Sequence, residues 1–416
     1  MKTTILFGAG ASYPFYKTHL STNYITSQVK QKNNWQDMLS KYRHVNVEEC
    51  QEPDIMPWIN FLNGSGNEDL NFEQLAEVVD KISSVQYDCF PQDNMLNRIV
   101  YALNANLQHR TQAQYIPFFF REIIANIIIK QEMDGRADNY EGLQRLQKQL
   151  LMQISENCEQ ASIISLNYDE CVPVSIDAIN EYDNCFRQKK GYRDIELDVR
   201  KFFEESKVVY FPHGHLRFIF NHKESAIYVP DIYEAERQRW NGLFNRNSIV
   251  ITQTPFCYDF NTFITTGQTK DNAFNNMPYA VYYQRMAIDF LTSDLVVLIG
   301  YSFGDPHFNR LLKSFHHIND TNKVLVVDMY QQEVMMVNEY KDNKNLIAKI
   351  NLVFTPGWRI RVTNDGELQP MNQEEVNHVN QDGFGEILPR VYFFKNGYEE
   401  FLRRQEEVLG RINEQQ

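Results

Sequence analysis

The sequence predicts an α/β fold: a parallel sheet covered on both faces by helices, with a mainly helical block interrupting the chain. Two observations predict it. Short apolar, β-branched runs such as Asp294–Gly300 and Lys323–Asp328 alternate with helical patterns, the signature of strands buried on both faces. Between Pro14 and Leu150, by contrast, strand signal is almost absent and apolar residues recur at helical spacing.

In chain order, Thr4–Phe7 is a short apolar strand ending in the turn Gly8-Ala9-Gly10-Ala11-Ser12. Helical periodicity follows in Phe72-Leu75-Ala76-Val79 and Phe119-Ile123-Ala125-Ile129, and Leu143-Leu146-Leu150-Leu151-Ile154 continues it on one face. The apolar run from Phe118 to Ile129 reads as core, the default for such a helix. Ser162–Leu166 and Val208–Phe211 are the next strands, and Arg217–Phe220 with Ala226–Val229 forms a hairpin around a polar turn. Tyr279–Thr292 is a helix, Asp294–Gly300 a strand, Pro306–His316 a helix and Lys323–Asp328 a second buried strand. A helix over Gln331–Lys349 leads to a third strand, Asn351–Phe354. From Arg359 short strand-like pieces mix with polar turns, and the chain closes on a charged helix, Tyr398–Asn413, read as a solvated surface helix.

Composition bounds the function. The chain has 416 residues and a net charge of −13, from 41 basic and 54 acidic side chains. Such a surface repels phosphate backbones and anionic membranes over a Debye length, so no direct nucleic-acid binding is expected. With 43% hydrophobic and 23% charged residues the chain is globular and long enough to bury its own core without a metal or disulfide staple. No apolar stretch is long enough to span a bilayer, and the first residues do not form a secretory leader. The cysteines Cys50, Cys89, Cys158, Cys171, Cys185 and Cys257 include no Cys-x-x-Cys pair. A cytoplasmic protein with reduced thiols is expected, with no membrane association and no bound metal.

Four motifs stand at strand ends, where open α/β sheets bind ligands. In Gly8-Ala9-Gly10-Ala11-Ser12 the glycines let backbone N–H groups approach a pyrophosphate and Ser12 adds a hydroxyl; the plain alternative is a tight turn, since the third glycine of the dinucleotide fingerprint is missing. In Ser165-Leu166-Asn167-Tyr168-Asp169, Asn167 offers an amide and Asp169 a carboxylate, although both residue types also cap helices. His213, in Pro212-His213-Gly214-His215, can titrate near neutral pH and serve as a base, or be a satisfied buried histidine. A metal pair of His213 with His215 is the poorer reading of this segment. In Gly300-Tyr301-Ser302-Phe303-Gly304-Asp305-Pro306, Gly300 and Ser302 can present polar groups to a phosphate, while Asp305 and Pro306 suit a helix cap and first turn. Asp328 ends the following strand, where a carboxylate can bind ribose hydroxyls unless it too is a cap.

This combination and order resembles the sirtuin-related (SIR2-like) NAD-binding family. Gly8-Ala9-Gly10-Ala11-Ser12 matches its opening turn, Asn167-Tyr168-Asp169 its Asn-x-Asp segment, His213-Gly214 its His-Gly, and Gly300-Tyr301-Ser302 its Gly-x-Ser turn. Two departures narrow the expectation. Between His213 and Ser302 only Cys257 stands where sirtuin deacylases carry four zinc-binding cysteines, and Tyr13-Pro14-Phe15-Tyr16 replaces the Asp-Phe-Arg segment. The resemblance is therefore to the zinc-less bacterial branch that hydrolyses NAD+ in anti-phage defence, and protein deacetylation is not expected.

What the resemblance implies is a Rossmann-like domain over residues 1–20 and 150–358, a helical insertion over 21–149 acting as lid or assembly surface, and a C-terminal extension over 359–416. NAD+ is the implied substrate. Asn167 and His213 are the implied catalytic pair; Gly8, Ala9, Gly10, Ser12, Asp169, Gly300, Ser302 and Asp328 are the implied binding residues. A homo-oligomer is implied, with a separately encoded HerA-type ATPase as partner, since the chain has no Walker motif. A non-catalytic NAD or ADP-ribose sensor and an ADP-ribosyltransferase are the alternatives.

Overall fold

The computed structural model describes residues 1–18, 20–45, 55–64, 67, 70–84, 115–188, 195–220, 226–247, 264, 277–318, 321–329, 346–354, 360–362, 368–370 and 382–414. Cys50, Cys89, Cys257 and residues 331–345 of the helix expected over Gln331–Lys349 lie outside them.

Strand β1 (Lys2–Phe7) leads into a 3-10 turn over Ala9–Phe15, then helices α1 (Thr22–Val29), α2 (Lys32–Val45), α3 (Met56–Leu62), α4 (Phe72–Ser84), α5 (Tyr115–Asp134) and α6 (Tyr140–Asn157). Next come β2 (Gln160–Ser165), α7 (Cys171–Ile179), β3 (Phe186–Gln188), β4 (Ile195–Leu197), α8 (Val199–Glu204) and β5 (Lys207–Tyr210). β6 (Phe218–Phe220), β7 (Ala226–Tyr228), α9 (Ile232–Asn247), α10 (Tyr279–Thr292), β8 (Leu295–Ile299), α11 (Pro306–Ile318) and β9 (Lys323–Val327) follow. α12 (Leu346–Phe354), β10 (Ile360–Val362), β11 (Leu368–Pro370), β12 (Phe384–Leu388), β13 (Val391–Phe394) and α13 (Gly397–Glu414) complete the described chain.

The fold is α/β, a mostly parallel mixed sheet flanked by helices. Its described strands run in the order β12-β13-β9-β8-β1-β2-β5. All neighbours are parallel except β12 and β13. β1 lies centrally because both of its faces are apolar or satisfied: Ile5, Leu6 and Phe7 are fully buried, and Thr4 Oγ1 hydrogen-bonds Ser293 Oγ at 2.7 Å. In register, Ile5 stands between Ile163 of β2 and Val297 of β8. From β1 the chain lays β2 and β5 on one side, then β8 and β9 on the other. The strand order thus reverses between β1 and β8, a topological switch point, where open α/β sheets place ligands beyond the strand ends.

The expected hairpin forms, with Ile219 of β6 opposite Ile227 of β7, within a small sheet ordered β3-β4-β7-β6. Helix α5 is core, as expected: Ile116, Phe119, Phe120, Ile123, Ile124, Ile127 and Ile128 are all buried. Among the described residues no helix is long and apolar enough to cross a membrane.

Two readings of the sequence need correction. Asn351–Phe354 is not a strand but the last turn of α12. Leu346, Ile350, Val353 and Phe354 meet the core at helical spacing, a period that the short run Asn351–Phe354 cannot reveal by itself. Helix α13 is not simply solvated, since Tyr398, Phe401, Leu402, Val408, Leu409 and Ile412 bury one face. Tyr398 packs edge-on against Phe7 at 6.0 Å, so α13 covers the end of β1. The strand-like pieces expected beyond Arg359 include β12 and β13, which extend the main sheet, β13 pairing in parallel with β9.

Candidate functional site

Two glycine turns meet at the ends of β1 and β8. The N–H of Gly8 donates to Ile299 O at 2.9 Å, and that of Gly10 donates to Gly300 O at 3.0 Å. The backbones approach so closely that a Cβ on Gly8 would lie 2.6 Å from Gly300 O. A Cβ on Gly300, whose φ is +60°, would lie 2.2 Å from Ala11 N. These glycines are therefore required by the contact between the turns. The N–H groups of Gly8 and Gly10 are engaged in this contact. Gly300 N itself donates to Val327 O at 2.9 Å.

The turn after β2 carries the polar centre. Asn167 Nδ2 donates to Gly8 O at 2.9 Å and to Ser12 Oγ at 2.8 Å. A carbonyl only accepts, so this contact fixes which end of the amide is nitrogen and leaves Oδ1 as the group for a ligand. Ser12 Oγ in turn donates a hydrogen bond to Asp169 Oδ2, and Asp169 Oδ1 accepts from Cys171 N at 3.0 Å at the start of α7. Asp169 thus does serve α7 as a cap acceptor, whereas Asn167 caps nothing. Burial pushes the Asp169 carboxyl above the usual carboxylate range, against the lowering effect of the Ser12 hydroxyl.

Behind this centre lies a buried network that fixes it. Glu132 of α5 accepts from Glu170 N at 2.9 Å and from the Tyr16 hydroxyl, tying the helical block to the Asp169–Glu170 backbone. Arg217 holds Glu170 through Nε and Nη2, the latter at 2.5 Å, and Asp177 through Nη1 at 2.6 Å. His215 is fully buried, with Nε2 donating to Asp169 O at 2.9 Å and Nδ1 accepting from Arg217 N at 3.2 Å. Burial, assisted by the Arg217 charge, pushes its pKa down to about 3, so the ring is neutral and structural.

His213 occupies the opposite wall. Its Nε2 lies 3.2 Å from Asp305 Oδ2, and its ring packs edge-on against Phe308 at 5.5 Å between centroids. Asp305 also caps α11, its Oδ1 accepting from His307 N at 2.9 Å and from Phe308 N at 3.4 Å. The cap was legible in the sequence. The contact with His213 was not, because nothing local joins the two segments.

Between these walls lies a cleft of about 630 Å³, within the range of small-molecule sites. Gly8, Ala9, Ser12, Asn167, Asp169, His213 and Ser302 line it, as do Tyr301, Gly304, Asp305 and His307. The helical block forms the remaining side: Thr22 and Ile25 of α1, Phe72, Glu73, Gln74 and Glu77 of α4, and Ile128 of α5. None of those insertion residues was expected at the site from sequence, for they carry no motif; Phe72 and Ile128 entered only as parts of helical apolar runs. Gly10, although exposed, the buried Gly300 and Asp328 are not among the lining residues. Asp328 instead ends β9, where its Oδ1 accepts from Met329 N at 2.7 Å and burial raises its pKa to about 6. Among the described lining residues there are four carboxylates, Glu73, Glu77, Asp169 and Asp305, and no lysine or arginine. Compared with models of protein families and with curated proteins, the chain matches none.

Proposed function

We propose that the chain is an NAD+ glycohydrolase, cleaving NAD+ to nicotinamide and ADP-ribose, on the sirtuin-related plan that its motifs resemble. One observation supports this reading above the rest: the Asn167 amide is clamped by Gly8 O and Ser12 Oγ, leaving its oxygen for a ligand in a cleft that His213 shares. The reaction needs little else. Nicotinamide leaves as a neutral ring that takes the electron pair of the broken C1′–N bond, so no acid is needed. The sugar passes through an oxocarbenium-like state that a fixed carboxylate and amide dipole stabilise. In this mechanism Asn167 Oδ1 orients the attacking water, His213 takes its proton, and Asp169 supports the positive charge on the sugar.

The lining carboxylates suit the cationic nicotinamide–ribose half of the substrate. With the N–H groups of Gly8, Gly10 and Gly300 engaged elsewhere and no lysine or arginine among the described lining residues, the pyrophosphate is assigned to Ser302 and Gly304, both exposed. On this reading the physiological role is NAD+ depletion in anti-phage defence, in a homo-oligomer with a HerA-type ATPase partner, as the resemblance implies.

The test is chromatography of NAD+ incubated with the purified protein, alone and with candidate activating partners. Nicotinamide and ADP-ribose are expected in equal amounts, and a loss of at least a hundredfold in Asn167→Ala and His213→Ala proteins that remain folded. Tight NAD+ binding without turnover under every activating condition would replace the proposal with a sensor.

A further inference from the structure

We infer that Asp305 is a positioning residue that couples the first turn of α11 to the proton-accepting state of His213, an inference resting on the reading of His213 as the base. The two oxygens of Asp305 are divided between two tasks. Oδ1 accepts the N–H groups of His307 and Phe308, and Oδ2 lies 3.2 Å from His213 Nε2. Both side chains are only 7% exposed, so solvent screens the contact little. Phe308, one residue beyond His307 in the same helical turn, packs its ring edge against the imidazole. One turn of helix therefore supplies both the charge and the surface that orient the ring.

The consequence concerns which nitrogen reacts. A carboxylate beside Nε2 favours the tautomer with its proton there, which leaves Nδ1 to accept a proton from water. The same carboxylate stabilises the imidazolium that results. The other titratable groups lining this cleft are Asp169 and Tyr168 after β2, Glu73 and Glu77 on α4, and Tyr301 and His307 beside Asp305. Asp305 is the one within ion-pair distance of the ring among the described contacts.

Asp305→Asn separates the two tasks. Asparagine caps helices as well as aspartate does, so the fold is retained, but the charge facing His213 is lost and an amide N–H can force the wrong tautomer. The experiment follows the His213 ring by NMR across pH in the wild-type and Asp305→Asn proteins, alongside kcat and KM for NAD+. The expected result is a midpoint for ring protonation lower by about one pH unit in the variant. A kcat at least tenfold lower, with KM changed less than threefold, is expected with it. Asp305→Ser, which keeps a cap oxygen but not the charge, should behave alike. An unchanged His213 midpoint in a folded Asp305→Asn protein overturns the inference. A shifted midpoint in a protein that never turns over NAD+ supports the coupling while overturning the glycohydrolase reading, so the two fail separately.

Discussion

Gly300 carries two constraints at once, a left-handed backbone at φ +60° and a position where a Cβ would meet Ala11 N at 2.2 Å. Gly300→Ala should therefore destabilise the protein by about 3 kcal/mol, combining backbone strain with overpacking against an immovable main chain. Urea unfolding checks this; an unchanged midpoint would mean that the turns after β1 and β8 can separate freely. Asn167 differs in kind. Its residue type and its place after a strand were legible, since Asn-x-Asp at a strand end is a local pattern. Which atom it turns to the cleft was not, because Gly8 O and Ser12 Oγ decide that from the far end of the chain. Asp305 is the sharpest case: its cap role is written into Asp305-Pro306, while its partner His213 arrives on another element.

Helix α4 forms one side of the cleft with Glu73 and Glu77, one helical turn apart on the same face. What holds it there is the buried Arg121 of α5, which meets both oxygens of Asp80 at 2.8 and 2.6 Å. Arg121→Met should leave the Asp80 charge half-desolvated and loosen α4 first, at a cost of about 3 kcal/mol. Hydrogen exchange provides the readout: faster exchange is expected over Phe72–Ser84, with the sheet strands unchanged. Equal protection in the variant would show that apolar packing alone seats the helix. The elements themselves were readable wherever a period ran long enough, as in α5. The misread element, Asn351–Phe354, is a four-residue apolar run in which helix and strand look alike.

At the scale of the molecule, a net charge of −13 and a cleft lined by four carboxylates face a substrate whose pyrophosphate is anionic. Repulsion should slow encounter, and salt should relieve it over the Debye length. We expect kcat/KM for NAD+ to rise as NaCl increases from about 50 to 200 mM, opposite to an enzyme that captures phosphates with a basic surface. A steep fall with salt would point to cationic groups in residues outside the described cleft. The sequence by itself determined the parallel strands, the helical block and the strand-end motifs, because periodicity and turn chemistry are local properties of a few successive residues. Only the tertiary structure decided that the two glycine turns pack backbone against backbone, that α4 walls the cleft, that β12 and β13 extend the sheet, and that Asp305 reaches His213. Each of those joins residues remote in the chain, and such contacts are selected by how whole surfaces pack, which no short stretch of sequence encodes.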